Sequence, residues 1–418
     1  MNNSRIYSAI GFLAIGALFL NGGIVSIGLY PSTSYAQPSD NSLGKAGAKI
    51  PDQYIVVLKN DGSNPQNVAN NARDNGASIL QIYDHAINGF AMKVPNDRVL
   101  EQVKNDNSVA YVEQDQVVTA FAQTLPTGIN RADADVSPTV SAGNGLGSTN
   151  VDIAIIDTGI DLTHPDLYVY KNKSFVQGTR SGNDDNGHGS HVAGIAAARD
   201  NGLGVVGMAP GARLWAVKVL DRTGSGSISN IIKGLDYVTA NAGEIDVANM
   251  SLGCECTSSA MNTAIHNSVA AGVTYVVAAG NSDKDASTFS PANHPDVIAV
   301  SAIVDTDGNP GGVGSSTSYG ADDTLATFSN FGSTVDMAAP GVNIYSTYKG
   351  GSYATMSGTS MASPHVAGAA AIYKANNPTA SPAQVLSALQ SQGITTGASY
   401  FTGDSDGIHE PLVSAKTL

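Results

Sequence analysis

Residues 151–156 read VDIAII. A strand with one wet face alternates apolar and polar residues. This run hardly does, so both of its faces need cover. Few architectures meet that demand, and the rest of the chain selects among them. Residues 187–199 read as a helix, 214–219 as a strand, 227–240 as a helix and 247–251 as a strand. A helix over 258–271 follows, then strands over 274–279 and 296–302. The alternation predicts an α/β fold, a parallel sheet with helices on both faces. In such sheets chemistry gathers beyond the carboxyl ends of the strands, so the residues after each strand are the ones to inspect. With 418 residues and 42% apolar content, the chain has enough for this sheet and a smaller unit besides.

The smaller unit comes first. Residues 53–59 (QYIVVLK) form a β-branched strand, 65–76 a helix, 79–83 and 89–94 strands, 98–105 a helix and 109–113 a strand. The order β-α-β-β-α-β is that of a split βαβ, ferredoxin-like α+β unit. Residues 37–52 read as a polar linker. Ahead of it, Arg5 precedes an apolar stretch over residues 6–20 that continues to Tyr30. Ser34 and Ala36 then offer a small-x-small cut before Gln37. Residues 1–36 read as an export signal, with a retained anchor as the alternative, since the stretch to Tyr30 is long enough to span a bilayer. Either way the rest of the chain is expected outside the cytoplasm.

Lys and Arg total 21 against 35 acidic residues, a net charge of -14, which argues against nucleic acid as a partner. The two cysteines, Cys254 and Cys256 in SLGCECTSS, are too few for a disulfide scaffold. In an exported chain a disulfide between them is the first reading. A weak metal site or free thiols are the others, and a metal would need ligands beyond two thiols.

Three glycine-flanked places carry reactive side chains: Asp157 in DTGID, His188 in GHGSHVAG and Ser360 in GTSMASPHVAG. A buried aspartate can hold an imidazole in one tautomer, and that imidazole can take a serine proton. Serine at a helix start also has free backbone N–H groups beside it. Asn281, after the strand over 274–279, offers an amide for a developing oxyanion. Taken singly, each residue reads as well as a turn residue, an N-cap, a core histidine or a loop amide. His191 and His365 lie on the same two helices, and spacing alone does not exclude them as the base.

In this order the three motifs resemble the subtilisin-like serine proteases, over about residues 54–385. The resemblance implies Asp157 as the orienting acid, His188 as the base, Ser360 as the nucleophile and Asn281 as the oxyanion donor. It implies structural roles for His191 and His365. Ser190 stands where threonine is commoner and keeps the hydroxyl. The groove is expected between Gly224, Ser225 and Gly226 on one side and Ser251, Leu252 and Gly253 on the other, both pairing with substrate backbone. Ala278, Ala279 and Gly280 are expected to wall a pocket for a large apolar side chain before the cut. Ser282 stands where some relatives carry glutamate, so a basic residue there is not expected to be favoured. Cys254 and Cys256 sit just past the groove edge.

The resemblance also implies a Ca²⁺ site at Asp166, Gln123 and Asn201 with the carbonyls of Arg199, Leu203 and Val205, an all-oxygen set that suits calcium. Asp404 and Asp406 in TGDSDGIHE are candidates for a second ion, without EF-hand spacing. The first unit resembles the propeptide of these proteases, an intramolecular inhibitor and folding helper. The expected division is signal 1–36, linker 37–52, propeptide 53–121 and peptidase domain 122–418, with self-cleavage between Phe121 and Ala122. A permanent accessory domain is the alternative. The expected function is a secreted, monomeric, calcium-bound serine endopeptidase acting on proteins or peptides. A non-catalytic binding protein and an esterase are the rivals. The intact set of Asp157, His188, Ser360 and Asn281 argues against the first, and the peptide-shaped groove against the second.

Overall fold

A computed structural model describes residues 49–59, 62–116, 123–404 and 406–418. The chain divides into two compact units, one ending at Thr119 and the other starting at Ala120. The segment read as an export signal lies outside the described residues, as does most of the linker. Among the described residues no helix is long and apolar enough to cross a membrane.

The first unit runs β1 (Lys49–Leu58), α1 (Pro65–Asp74), β2 (Ser78–Tyr83), β3 (Gly89–Lys93), α2 (Asp97–Lys104) and β4 (Val109–Gln116). Its sheet has the order β2-β3-β1-β4. Asn64 and Asn96 start the two helices by accepting amides of the first turn, from Gln66 and Val99. Val56 and Leu58 of β1 meet Phe90 and Met92 of β3 and Val99, Leu100 and Val103 of α2 in one core. The element order is the one expected from the sequence.

The second unit opens with α3 (Thr127–Arg131), β5 (Asp152–Asp157), β6 (Val169–Ser174), α4 (His188–Ala197), β7 (Arg213–Lys218) and α5 (Ile228–Ala240). It continues with β8 (Val247–Met250), β9 (Cys254–Glu255), α6 (Ser259–Ala270), β10 (Thr274–Ala278), β11 (Phe289–Ser290) and β12 (Ile298–Val304). Then come β13 (Thr324–Leu325), β14 (Met337–Pro340), β15 (Ile344–Tyr348), β16 (Ser352–Met356), α7 (Thr359–Asn376) and α8 (Pro382–Gln392). The main sheet has the order β13-β12-β10-β8-β5-β7-β6, with β14 also on β12.

The expected reading of VDIAII holds residue by residue. Ile153 and Ile155 enter one core with Val192 and Ala193 of α4 and Val366 and Ala370 of α7. Ala154 and Ile156 enter a second core with Leu235 of α5 and Ile265 of α6. Each fully buried aliphatic side chain contributes about 1.5–3 kcal/mol, so neither face tolerates a polar residue cheaply. The sheet is mixed, however, and the expectation of a purely parallel one is corrected. β13 runs antiparallel to β12, Ile303 opposite Leu325. It is reached from β12 without a helix between them, and a parallel return needs a crossover.

Candidate active site

The strand order β10-β8-β5-β7 sets the ends of four neighbours side by side. Asp157 is the last residue of β5, Ser251 follows β8, and Ala279 to Asn281 follow β10. Two helices begin over this edge. α5, α6 and α8 start with a serine that caps an amide of the first turn, Ser227, Ser258 and Ser381. α4 and α7 instead start after Gly187 and Gly358, with no side-chain cap. Their first-turn N–H groups are left to other partners, and His188 and Ser360 stand there.

Asp157 is fully buried. Its carboxylate lies against His188 Nδ1, Oδ1 at 2.8 Å and Oδ2 at 3.0 Å, and Oδ1 also accepts the Thr158 amide at 2.6 Å. Gly189 makes this approach possible, since a Cβ there would stand 2.1 Å from the Gly159 carbonyl oxygen and 3.1 Å from Asp157 Oδ1. Burial disfavours the His188 imidazolium, but the Asp157 charge and hydrogen bond, with Asp184 behind, outweigh it and raise the pKa above 6.5.

Ser360 Oγ donates to the Ser251 carbonyl at 3.3 Å, not to His188. Beneath it, Ser251 Oγ donates to the Ser360 carbonyl at 2.9 Å, Asn249 Nδ2 to Ser251 Oγ at 3.0 Å and Ser363 Oγ to Asn249 Oδ1 at 2.6 Å. This buried chain fixes the start of α7 against β8. Asn281 Oδ1 accepts from Thr359 N at 2.7 Å and Thr359 Oγ1 at 2.9 Å, which fixes the amide and leaves its Nδ2 donor uncommitted.

Two cavities meet here. One, of about 560 Å³, is lined by His188, Gly224, Ser225, Gly226, Ser251, Leu252, Gly253, Ile231 and Met261. The other, of about 340 Å³, is lined by Ala278, Ala279, Gly280, Asn281, Ser282, Phe289, Ala292 and Ser360. They share Leu252, Gly253, Cys254 and Ser290. Gly280 sits at φ 110°, where a Cβ would stand 2.4 Å from Asn330 Nδ2, so the wall stays bare. Gly224 to Gly226 lie outside any strand, with Asp221 N donating to the Ser225 carbonyl at 2.8 Å and Gly224 N to the Asp221 carbonyl at 2.9 Å. Cys254 and Cys256 are joined in a disulfide, and β9, which begins at Cys254, pairs with β11.

The other two histidines are engaged elsewhere. His191 Nε2 donates to the carbonyls of Ile344 and Ala354, both at 3.0 Å, and His365 Nδ1 to that of Met361 at 2.8 Å. Burial pushes both pKa values down to about 4. Asp184 was not foreseen from the sequence. Buried, it accepts from Thr158 Oγ1 at 2.9 Å, the amides of Asn186, Gly187 and Ser190 at 2.9–3.0 Å, and Ser190 Oγ at 2.6 Å. It ties DTGID to GHGSHVAG. Its only sequence signal is its place four residues before His188.

The residues expected to hold calcium are also brought together. Gln123 Nε2 donates to the carbonyls of Arg199 at 2.6 Å and Val205 at 3.0 Å. Asp166 Oδ2 accepts the Val205 amide at 2.9 Å, while its Oδ1 is buried with no partner. Asn201 Oδ1 accepts the Leu203 amide at 2.9 Å. Burial raises the Asp166 pKa. Asp406 N lies 3.4 Å from Asp404 Oδ1. Phe121 and Ala122 lie outside the described residues.

Known proteins resemble this chain over most of its length. Residues 148–402 match the profile of the Subtilase family, and residues 53–121 that of Peptidase inhibitor I9. Subtilisin NAT of Bacillus subtilis subsp. natto is 42% identical over 312 residues, 74% of this chain and 76% of that protein. Subtilisin Savinase of Lederbergia lenta is 42% identical over 282 residues, 68% of this chain and 96% of that protein. The crystal structure of a cold adapted subtilisin-like serine proteinase matches with a TM-score of 0.58 at 33% identity, over 70% of this chain and 98% of that one. The chain belongs to the subtilase family, and it is a serine protease made with its own inhibitory propeptide.

Proposed function

We propose that the chain is a secreted endopeptidase in which Asp157, His188 and Ser360 form the triad and Asn281 the oxyanion donor. The observation that carries this is the contact of His188 Nδ1 with the buried Asp157 carboxylate at 2.8 Å, on the wall of a cavity continuous with the one that Ser360 lines. Asp157 fixes the proton on Nδ1 and leaves Nε2 as the acceptor. A peptide in the groove between residues 224–226 and 251–253 draws the Ser360 hydroxyl from the Ser251 carbonyl toward Nε2. Oγ then attacks the peptide carbonyl while His188 takes its proton. The oxyanion receives Asn281 Nδ2 and the Ser360 amide in the first turn of α7. His188 returns the proton to the leaving amine, and water releases the acyl group by the same steps in reverse roles.

The 340 Å³ cavity, with Ala278, Ala279, Gly280 and Phe289 in its wall, suits a large apolar side chain before the cut. A cut between Phe121 and Ala122 would present Phe121 to it. On this reading residues 1–36 are the export signal, 37–52 a linker, 53–121 a ferredoxin-like propeptide and 122–418 the mature enzyme. Calcium fits the loop at Asp166, whose Oδ1 is a buried oxygen awaiting a partner. Asp166, Asn201, the Gln123 amide turned to present its oxygen, and the carbonyls of Arg199, Leu203 and Val205 would hold it. Bound there, the ion supplies positive charge that pins the loop, and takes no part in the chemistry.

Intact mass tests this reading. The full chain made with calcium is expected to lose everything before Ala122, and the Ser360→Ala chain to stay whole. Equal cleavage of both would remove self-processing, and a Ser360→Ala chain still active on peptides would remove the nucleophile.

A further inference from the structure

Outside this site, the sequence run DTDGN at residues 305–309 follows the end of β12. It places Asp305, Asp307 and Asn309 at alternate positions, as in the first half of a calcium-binding loop. The glycine and distal glutamate of a full EF-hand are absent. The fold brings a third carboxylate from Asp322. One carboxylate oxygen each of Asp305, Asp307 and Asp322 lies within 4.8 Å of the others.

The bonding of each oxygen shows what is missing. Asp322 Oδ1 accepts from Thr306 N at 2.8 Å and Oγ1 at 3.0 Å, and Oδ2 from Gly314 N at 2.8 Å. Asp307 Oδ1 accepts the Asn309 amide at 2.8 Å. Asp305 Oδ1 accepts the Gly308 amide at 3.1 Å. Asp305 Oδ2 has no partner, and the residue is 1% exposed. A buried carboxylate oxygen without a donor is costly unless a charge meets it. The protein supplies one guanidinium nearby, Arg131, whose charge is felt at Asp305 but whose hydrogen bonds go elsewhere, with Nε and Nη2 both 2.9 Å from Asp323 Oδ1 and Nη2 on the Ser399 carbonyl at 2.8 Å. Asp323 Oδ2 is taken by the amides of Gly311 and Gly312. Among the described residues no cation pairs with Asp305, Asp307 or Asp322.

We propose that Asp305, Asp307 and Asp322 bind a calcium ion separate from the one expected at Asp166, and that this ion fastens residues 305–323 to the end of β12. The donors are all oxygen and mostly carboxylate, which selects a hard cation. Two oxygens of one Ca²⁺, each at about 2.3–2.6 Å, stand up to about 5 Å apart, and those of Mg²⁺ up to about 4 Å. Oxygens within 4.8 Å of one another lie inside the span of one Ca²⁺. The ion meets the free Asp305 oxygen and balances the excess negative charge.

Calorimetric titration with calcium chloride tests this, on the chelator-stripped full chain carrying Ser360→Ala to prevent self-digestion. The half-exposed Asp307 allows a mild variant, Asp307→Asn, with Asp305→Asn as the second. Asp166→Asn marks the other site. The expected result is a site that survives Asp166→Asn and is weakened at least 10-fold by Asp307→Asn, in chains whose circular dichroism is unchanged. Should Asp305→Asn fail to fold, Asp307→Asn decides alone. Calcium uptake equal with and without Asp307→Asn overturns the proposal. So does an Asp305→Asn chain that gains heat stability without losing calcium, because the buried carboxyl then holds a proton in place of an ion.

Discussion

His188 Nδ1 stands 2.8 Å from one oxygen of Asp157 and 3.0 Å from the other, and Asp157 is closed to water. The aspartate raises the imidazole pKa over the opposing effect of burial. In the proposed mechanism His188 is the base and must be neutral to accept a proton, so activity should fall as pH drops through that raised value. The acid limb of kcat/KM is therefore expected above pH 6.5, the ordinary histidine value. Asp157→Asn removes the charge and the tautomer control. It should move the limb down and lower kcat by about 10⁴-fold, the size seen in serine-protease triads. A pH–rate profile with its limb at or below 6.5 would contradict this account of His188.

Asn281→Ala removes the Nδ2 donor and also the acceptor of the Thr359 amide. Stabilisation of the oxyanion is felt in the transition state and hardly in the bound substrate. If Asn281 is the proposed oxyanion donor, kcat should fall by about 10²–10³-fold, the size measured on removing such a donor in subtilisin, with KM near its original value. A rise in KM at constant kcat would instead assign Asn281 to substrate binding.

The smaller cavity sets Leu252, Ala278, Ala279, Phe289 and Ala292 in its lining, and its acidic member, Glu255, is already paired with Lys284. Peptide substrates with Phe or Leu before the cut should therefore exceed those with Lys in kcat/KM. Lys284 beside it is paired with Glu255 at 2.8–2.9 Å and is not free to meet an acidic side chain. Ser282→Glu should raise kcat/KM for a Lys substrate by about 2–5-fold, the worth of one partly exposed charge pair. No change in the Lys-to-Phe ratio would place Ser282 outside the pocket.

Asp166 Oδ1 is buried without a partner, and neutralising its charge should matter more than any single hydrogen bond in that loop. Raising calcium from far below its dissociation constant to 100-fold above it adds about 2.7 kcal/mol at one site, or on the order of 5 °C in Tm. Asp166→Asn should remove most of that increment while lowering Tm little in chelator. Scanning calorimetry of both chains at two calcium levels reads it directly. Equal increments would move the ion elsewhere.

Some of this architecture was legible in the sequence and some was not, and the difference is physical. Residues 151–156 announced their two covered faces because burial on both sides erases polar alternation. β9, β11 and β13 are two residues long, too short for any period, and are defined by their partners. Spacing placed His188 and His191 on one helix without choosing between them, and the family resemblance chose His188 without a physical reason. The choice is made by the carbonyls of Ile344 and Ala354, more than 150 residues away, which take up His191. Asp184 was invisible for the same reason, since its importance lies in five donors that only the folded loop assembles.

His365 lies fully buried in α7, with Nε2 unpartnered, and burial pushes its pKa down to about 4. In the unfolded chain the same imidazole titrates near 6.5. Between those values the unfolded state binds the extra proton, so this group withdraws stability as pH falls from about 6.5 toward 4 and no further below that. At pH 5 the loss relative to pH 7 is about 2 kcal/mol. Buried carboxyl groups oppose it. Burial raises Glu410 to about 7 and Asp336 to about 6, and such groups gain stability on acidification. The net pH dependence of the whole chain is thus a poor readout, but the opposing groups cancel between two chains that differ only at residue 365. Unfolding free energies of the Ser360→Ala chain and its His365→Gln derivative, at fixed calcium, isolate the imidazole. The cost of the substitution should shrink by about 2 kcal/mol on going from pH 7 to pH 5. A cost that is the same at both would mean that His365 titrates in the folded chain as it does in the unfolded one.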